Sequence, residues 1–225
     1  MDLQLEGKVI LVVGGLGLIG SAVCERLTDE GAVAIAASRH SRELTMDATD
    51  QDSVARGVAR IHEDHGRLDG VVVCAAPSAR TLDPTRNSDP QQVLEAMDQK
   101  SLSFLRVANE VIPEMRQRGY GRIVGISGQN AFLTGNITGS VRNAALIIIA
   151  KNLADSLAGT GVTVNAVSPS IVADEPSREI APAKSGQSRA VDTASLVAFL
   201  LSPLAGAISG ESIAVGHRVL GTTHL

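Results

Sequence analysis

The chain has no tryptophan, one tyrosine and three phenylalanines in 225 residues. A core built on stacked aromatics is excluded, so packing falls to Ala, Val, Leu and Ile within a 44% hydrophobic content. The two cysteines, Cys24 and Cys74, lie far apart and neither has a partner at metal-ligand spacing. That argues against a disulfide framework and a zinc site, and no metal is expected. The net charge of −4, from 20 basic and 24 acidic residues, is not concentrated in one sign. It leaves no basic stripe for nucleic acid and no polybasic patch for an anionic membrane. No apolar run reaches the ~18 residues needed to span a bilayer. The chain opens with acidic residues and no basic n-region, so neither signal peptide nor anchor is expected and a reducing cytoplasmic setting fits best.

What is present is an alternation of short apolar runs and helical patterns. Lys8 to Val13 reads as a strand, Leu18 to Glu30 as a helix stopped by Gly31, and Ala32 to Ala37 as a second strand. Together they make one βαβ unit of the usual ~30 residues. A short strand candidate at Glu43 to Met46 follows too closely for a crossover helix. Helix Gln51–His65, strand Gly70–Cys74, a long helix Asp89–Arg118 and strand Arg122–Ile126 continue the pattern. Helix Gly139–Ala158, strand Val162–Val167, a Pro/Ser-rich loop Ser168–Arg189, helix Asp192–Leu201 and strand Ser212–Val215 complete it. The strands are apolar throughout instead of alternating, as in parallel sheets covered on both faces. The expectation is one α/β domain over residues 1–225, a Rossmann-type doubly wound parallel sheet, with ligands beyond the carboxyl ends of its strands.

The first of those strand ends carries Gly14, Gly15, Gly17, Leu18, Ile19 and Gly20, with Gly15-x-Gly17-x-x-Gly20 set between strand and helix. Glycines allow the sharp turn, the close approach of backbone to a pyrophosphate, and tight packing of helix on strand. The helix N-terminus then offers free N–H groups and partial positive charge to the phosphates. The plainer reading is a tight turn with no ligand. At the end of the second strand, where an Asp or Glu would meet an NAD ribose, stand Ser38 and Arg39, with His40 and Arg42 behind. Arg39 suits a 2′-phosphate, so NADP is preferred to NAD; otherwise Arg39 and Arg42 are solvated loop charges.

Over nearly its whole length the chain resembles the short-chain dehydrogenase/reductase family. The resemblance rests on the glycine loop with Val13 for the usual Thr, on Met46-Asp47-Ala48-Thr49-Asp50, on Gly66-Arg67-Leu68-Asp69-Gly70-Val71, and on Gly121-Arg122-Ile123-Val124. Val164-Asn165-Ala166-Val167-Ser168-Pro169 adds to it, with Ser170 for the family's Gly. It implies that Asp47 contacts the adenine and that Ala75 lies beside the cofactor. It also implies a homodimer or homotetramer formed through the two long central helices.

The family's proton-transfer residues are absent. Gly128 stands at the Ser position beside Ser127, Gly139 at the Tyr position, Asn143 at the Lys position, and the Asn position falls near Lys100. The family's N-N-A-G run is Val73-Cys74-Ala75-Ala76. Tyr120 precedes the fifth strand and so lies at the wrong end of the sheet; Lys151 is two turns beyond Asn143 and reads as a solvated helix residue. Cys74 reads as a small buried hydrophobe, and no histidine has a triad partner. Ser127, Gln129, Asn130, Ser140, Arg142 and Asn143 remain near a nicotinamide position, where Asn143 could bond ribose hydroxyls; alternatively they cap their own helix. Asp174, Glu175, Arg178, Glu179 and Lys184 are candidates to border the pocket. Two functions compete: an NADP-dependent oxidoreductase on a small carbonyl or alcohol with non-standard catalysis, and an inactive relative acting as a ligand-binding or partner subunit. Non-redox chemistry such as dehydration or isomerisation in the same cleft is a third.

Overall fold

The computed structural model describes residues 2–77 and 81–221. Seven strands form one sheet: β1 (Val9–Val13), β2 (Val33–Ser38), β3 (Leu44–Thr45), β4 (Gly70–Val73), β5 (Gly121–Ile126), β6 (Val162–Pro169) and β9 (Ser212–Val215). Their spatial order is β3-β2-β1-β4-β5-β6-β9, and every pairing is parallel. The order reverses between β1 and β4, the place where a doubly wound sheet opens a crevice at its carboxyl edge.

Period-two alternation sends neighbouring strand residues to opposite faces. Leu11, Val13, Val71, Val73 and Ile123 pack on one face beneath α2 (Gln51–His65), α4 (Ser103–Arg118) and α5 (Ile137–Ser156). Ile10, Val12, Val72 and Val124 pack on the other beneath α1 (Leu18–Asp29) and α6 (Ala190–Leu201). Both faces are buried, which is why the strands read as continuous apolar runs. Each fully buried aliphatic side chain is worth about 1.5–3 kcal/mol, so the sheet interior needs few aromatics; Phe104 is the largest side chain fully buried in it. Caps set the helix starts: Asp50 accepts the N–H groups of Asp52 and Ser53 for α2, Asp89 that of Gln91 for α3 (Pro90–Met97), and Asn136 that of Gly139 for α5.

The long helix expected from Asp89 to Arg118 is interrupted. Between α3 and α4, Asp98–Leu102 forms a π turn, in which the Ser101 and Ser103 hydroxyls donate to the carbonyls of Met97 and Asp98. Hydroxyls that compete for backbone carbonyls perturb a helix locally, and apolar periodicity does not register them. The helix expected from Gly139 begins at Ile137, because Asn136 is its cap. The Ser168–Arg189 segment, expected as loop, contains β7 (Ile171–Val172) paired with β8 (Gln187–Ser188) beyond the tip of β6. No helix among the described residues is long and apolar enough to cross a membrane.

The amino edge of the sheet holds a closed charge cluster. Buried Asp69 accepts from Arg67 at 2.5 Å, Arg118 at 2.7 Å and the Val9 amide at 3.1 Å. Burial pushes its carboxyl up, but those bonds outweigh burial and hold it below the usual carboxylate range. Tyr120 sits here, its ring 4.5 Å from both the Lys8 ammonium and the Arg122 guanidinium, at the opposite edge from the crevice.

Candidate functional site

Two adjoining clefts share Ala76 and Pro77 and lie over the strand tips. The first, about 380 Å³, is lined by Gly14, Leu16, Ser38, Arg39, Asp47 and Ala75 among others. Its floor is the glycine turn. Gly14 has φ +83°, and a Cβ there would come 2.7 Å from the Ala75 amide nitrogen. A Cβ on Gly15 would lie 2.8 Å from that of Ala36, and one on Gly20 would collide with the Gly14 carbonyl. These three glycines serve turn and packing. Gly17 differs: φ is −80°, and a Cβ would meet only the Gly14 carbonyl oxygen, at 3.3 Å. Its bareness leaves room above the N-terminus of α1, where no side chain caps the helix and no acidic residue occupies the first turn. An anion is accommodated there by unspent N–H groups and the helix dipole.

At the far end of this cleft the Thr49 amide and hydroxyl donate to Asp47 at 3.0 and 2.8 Å. Those bonds, with attraction from Arg39, hold the Asp47 carboxyl below its ordinary value. Arg39 is exposed and has no ion pair among the described residues, and Ser38 accepts the His40 amide.

The second cleft, about 590 Å³, is lined by Leu18, Ile19, Cys74, Lys100, Ser127 and Arg142, and further by Gly128, Gln129, Asn130, Asn143 and Ser170–Val172. The π turn delivers Lys100 into it. The Lys100 side chain is almost wholly buried, and its Nζ donates to the Ser127 carbonyl at 3.0 Å. Burial and the neighbouring Arg142 charge bring its ammonium down to about 7. Arg142 enters from α5, 3% exposed, and among the described residues its donors reach one acceptor, the Pro77 carbonyl at 3.3 Å. Among those residues its Nε has no partner, and neither do Gln129 Oε1 and Asn143 Oδ1. No Asp or Glu is among the described residues lining this cleft.

The residues that the sequence resemblance sets at the family's catalytic positions lie as follows. Gly139 lies under the cap of α5, where a Cβ would come 2.9 Å from the Asn136 side chain. A Cβ on Gly128 would lie 3.3 Å from Asn143 Oδ1. Ser127 spends its hydroxyl on the Asn143 carbonyl at 3.0 Å, and Asn143 Nδ2 donates to the Gly139 carbonyl at 2.8 Å. Ser140 lies outside the cleft and donates to the Leu133 carbonyl. The expected charged border is corrected: Asp174, Glu175, Arg178, Glu179 and Lys184 are exposed and line neither cleft, and Ser170, Ile171, Val172 and Ser185 line it instead. Those charges lie in the stretch of chain between β7 and β8, whereas β7 itself borders the cleft. Lys151 is exposed and ion-paired with Asp155. Cys74 lines the second cleft, and burial pushes its thiol up to about 12, which keeps it protonated.

The residue whose burial in the cleft the sequence concealed is Lys100, because a lysine is ordinarily exposed.

Known proteins resemble this chain across most of its length. The family described as enoyl-(acyl carrier protein) reductase matches residues 14–217. The 3-oxoacyl-(acyl-carrier-protein) reductase of Haemophilus influenzae is 26% identical, with 94% of this chain and 97% of that protein covered. The acetoacetyl-CoA reductase of Allochromatium vinosum is 32% identical over 73% of this chain and 75% of its own. The solved aldohexose dehydrogenase of Thermoplasma acidophilum superposes with a TM-score of 0.81 at 23% identity, covering 100% of this chain and 98% of that one.

Proposed function

Because the chain belongs to the short-chain dehydrogenase/reductase family, an oxidoreductase family, we propose that it is an NADP(H)-dependent oxidoreductase of a small carbonyl or alcohol, with Lys100 as its proton donor and acceptor. When bound, NADP(H) supplies the hydride. The residues present fit that cofactor. The α1 N-terminus and the bare Gly17 suit its pyrophosphate, Asp47 its adenine, and Arg39, which has no ion pair among the described residues, its 2′-phosphate. Asn143 Oδ1 stands ready to accept from a hydroxyl.

The observation that carries the reading is the buried Lys100 ammonium opening into the second cleft beside unpartnered polar atoms. The family's Tyr position is closed by Asn136 and Gly139, so proton transfer needs another group on this side of the sheet. An ammonium brought to about 7 is poised near working pH, where general acid–base catalysis is most effective. In reduction Lys100 gives its proton to the substrate oxygen; in oxidation its neutral amine takes one. Its bond to the Ser127 carbonyl fixes where Nζ points. The exposed Leu94 on α3 and Ile148 on α5 fit self-association along those helices.

The test is NADPH and NADH titration of the purified chain, followed by a carbonyl screen that monitors cofactor oxidation. NADPH is expected to bind more tightly than NADH. Lys100→Met should lower kcat by about 10²- to 10⁴-fold, the usual contribution of a positioned acid, with cofactor affinity unchanged. The wild-type reduction rate should fall as pH rises through about 7, because the acid must carry its proton. Tight NADPH binding with no turnover across a broad screen would defeat the reading in favour of an inactive binding subunit.

A further inference from the structure

We propose, resting on the reading above that the second cleft takes a carbonyl compound, that its substrate is an oxo acid whose carboxylate is held by Arg142. The side chain is a built site without its counter-ion. A guanidinium offers five N–H donors in a planar fork, yet among the described residues this one makes a single long bond, to the Pro77 carbonyl, and its buried Nε makes none. A buried cation normally has an acid within reach, because desolvating it alone costs several kcal/mol. Here no carboxylate is among the described residues lining the cleft, and a second buried cation, Lys100, adds to the positive field.

The same chain shows what a structural arginine looks like. Arg122 is equally buried, but it donates to the carbonyls of Ser202, Gly121 and Gly161 and stacks on Tyr120. Among the described residues Arg142 has no such set of acceptors, so its fork is left for a ligand, and a planar carboxylate matches it with two parallel bonds. Ile126, Ile171 and Val172 supply apolar wall for a short carbon chain. With the carboxylate on α5, the carbonyl of a 2- or 3-oxo acid falls toward Lys100, whose ammonium polarises it. The competing source of negative charge is the cofactor's own pyrophosphate, since Leu18 and Ile19 of the glycine turn border the same cleft.

The experiment is calorimetric titration of the full chain, with and without saturating NADP⁺, using acetoacetate and pyruvate, each against its methyl ester. At least one acid should bind tenfold or more tightly than its ester. Arg142→Gln should abolish that preference while NADP⁺ affinity stays within twofold. The assignment is overturned if esters bind as well as acids, if neither acid binds, or if inorganic phosphate displaces the acid at equal concentration. It is also overturned if Arg142→Gln loses NADP⁺, which would give the arginine to the cofactor. Should that variant not fold, the acid-over-ester comparison on the wild-type chain decides alone. A wild-type chain that does not bind NADP⁺ would sink the oxidoreductase reading, while the titrations without cofactor still settle this one.

Discussion

The two edges of the parallel sheet both bury charge, and they treat it in opposite ways. At the amino edge Asp69 is tied to Arg67, Arg118 and the Val9 amide, and Arg122 to three carbonyls and a ring. At the carboxyl edge Arg142 and Lys100 have no acidic partner among the described residues, and three buried polar atoms beside or on them have none of any kind. A buried charge that the chain satisfies for itself holds the structure together. One that it leaves open is stabilised only when a ligand arrives, and the fold carries the cost meanwhile.

Substitutions can break this contrast. Asp69→Ala should have the largest effect, about 3 kcal/mol of lost stability. That is the low end for breaking a buried pair, because Arg67 reaches solvent. The melting temperature should drop on the order of 10 °C for a chain of this size. A drop of only a degree or two would mean that the amino edge is no better satisfied than the other.

Within the glycine turn the comparison can be drawn more finely. Gly20→Ala should cost about 1–3 kcal/mol, since its methyl meets the rigid Gly14 carbonyl and the turn must shift. Gly17→Ala should cost less than Gly20→Ala, because its φ suits alanine and its methyl would press on one atom alone, the Gly14 carbonyl oxygen at 3.3 Å, which needs to give by only a few tenths of an ångström. It should nevertheless weaken NADPH binding by tenfold or more if the open space is a phosphate cradle. Equal NADPH affinity in Gly17→Ala and wild type would reduce the motif to a turn. The smallest expected effect has the opposite sign. Without ligand, Arg142→Met should be neutral or raise stability by roughly 1 kcal/mol, because a buried unpaired cation is replaced by a hydrophobe of similar reach. Clear destabilisation by thermal denaturation would show that Arg142 is structural like Arg122.

Much of the fold was legible because parallel strands and amphipathic helices write their periods directly into the chain. The strand ending at Val13, the glycine turn and helix Gln51–His65 could be placed from apolar runs, helical periodicity and glycine positions. The π turn at Asp98–Leu102 and the β7/β8 pair could not. The first arises from serine hydroxyls competing for carbonyls within one helical pattern, and the second from two residues on each side that meet only after the loop folds back. In the site, the glycine turn was visible as residue types at fixed spacing, and Arg39 and Asp47, singled out by their places after the second and third strands, both line the first cleft. The charged residues from Asp174 to Lys184 misled, because charge in a loop says nothing about which way the loop faces.

Sequence alone determined the doubly wound sheet and the glycine turn, since each follows from the order of residues along one strand or helix. Only the tertiary structure decided that Lys100 in the π turn and Arg142 on α5, 42 positions apart, are buried in one cleft with no acid among the described residues that line it. Burial and the absence of a counter-ion are properties of everything that packs around a side chain. No local stretch of sequence contains that information.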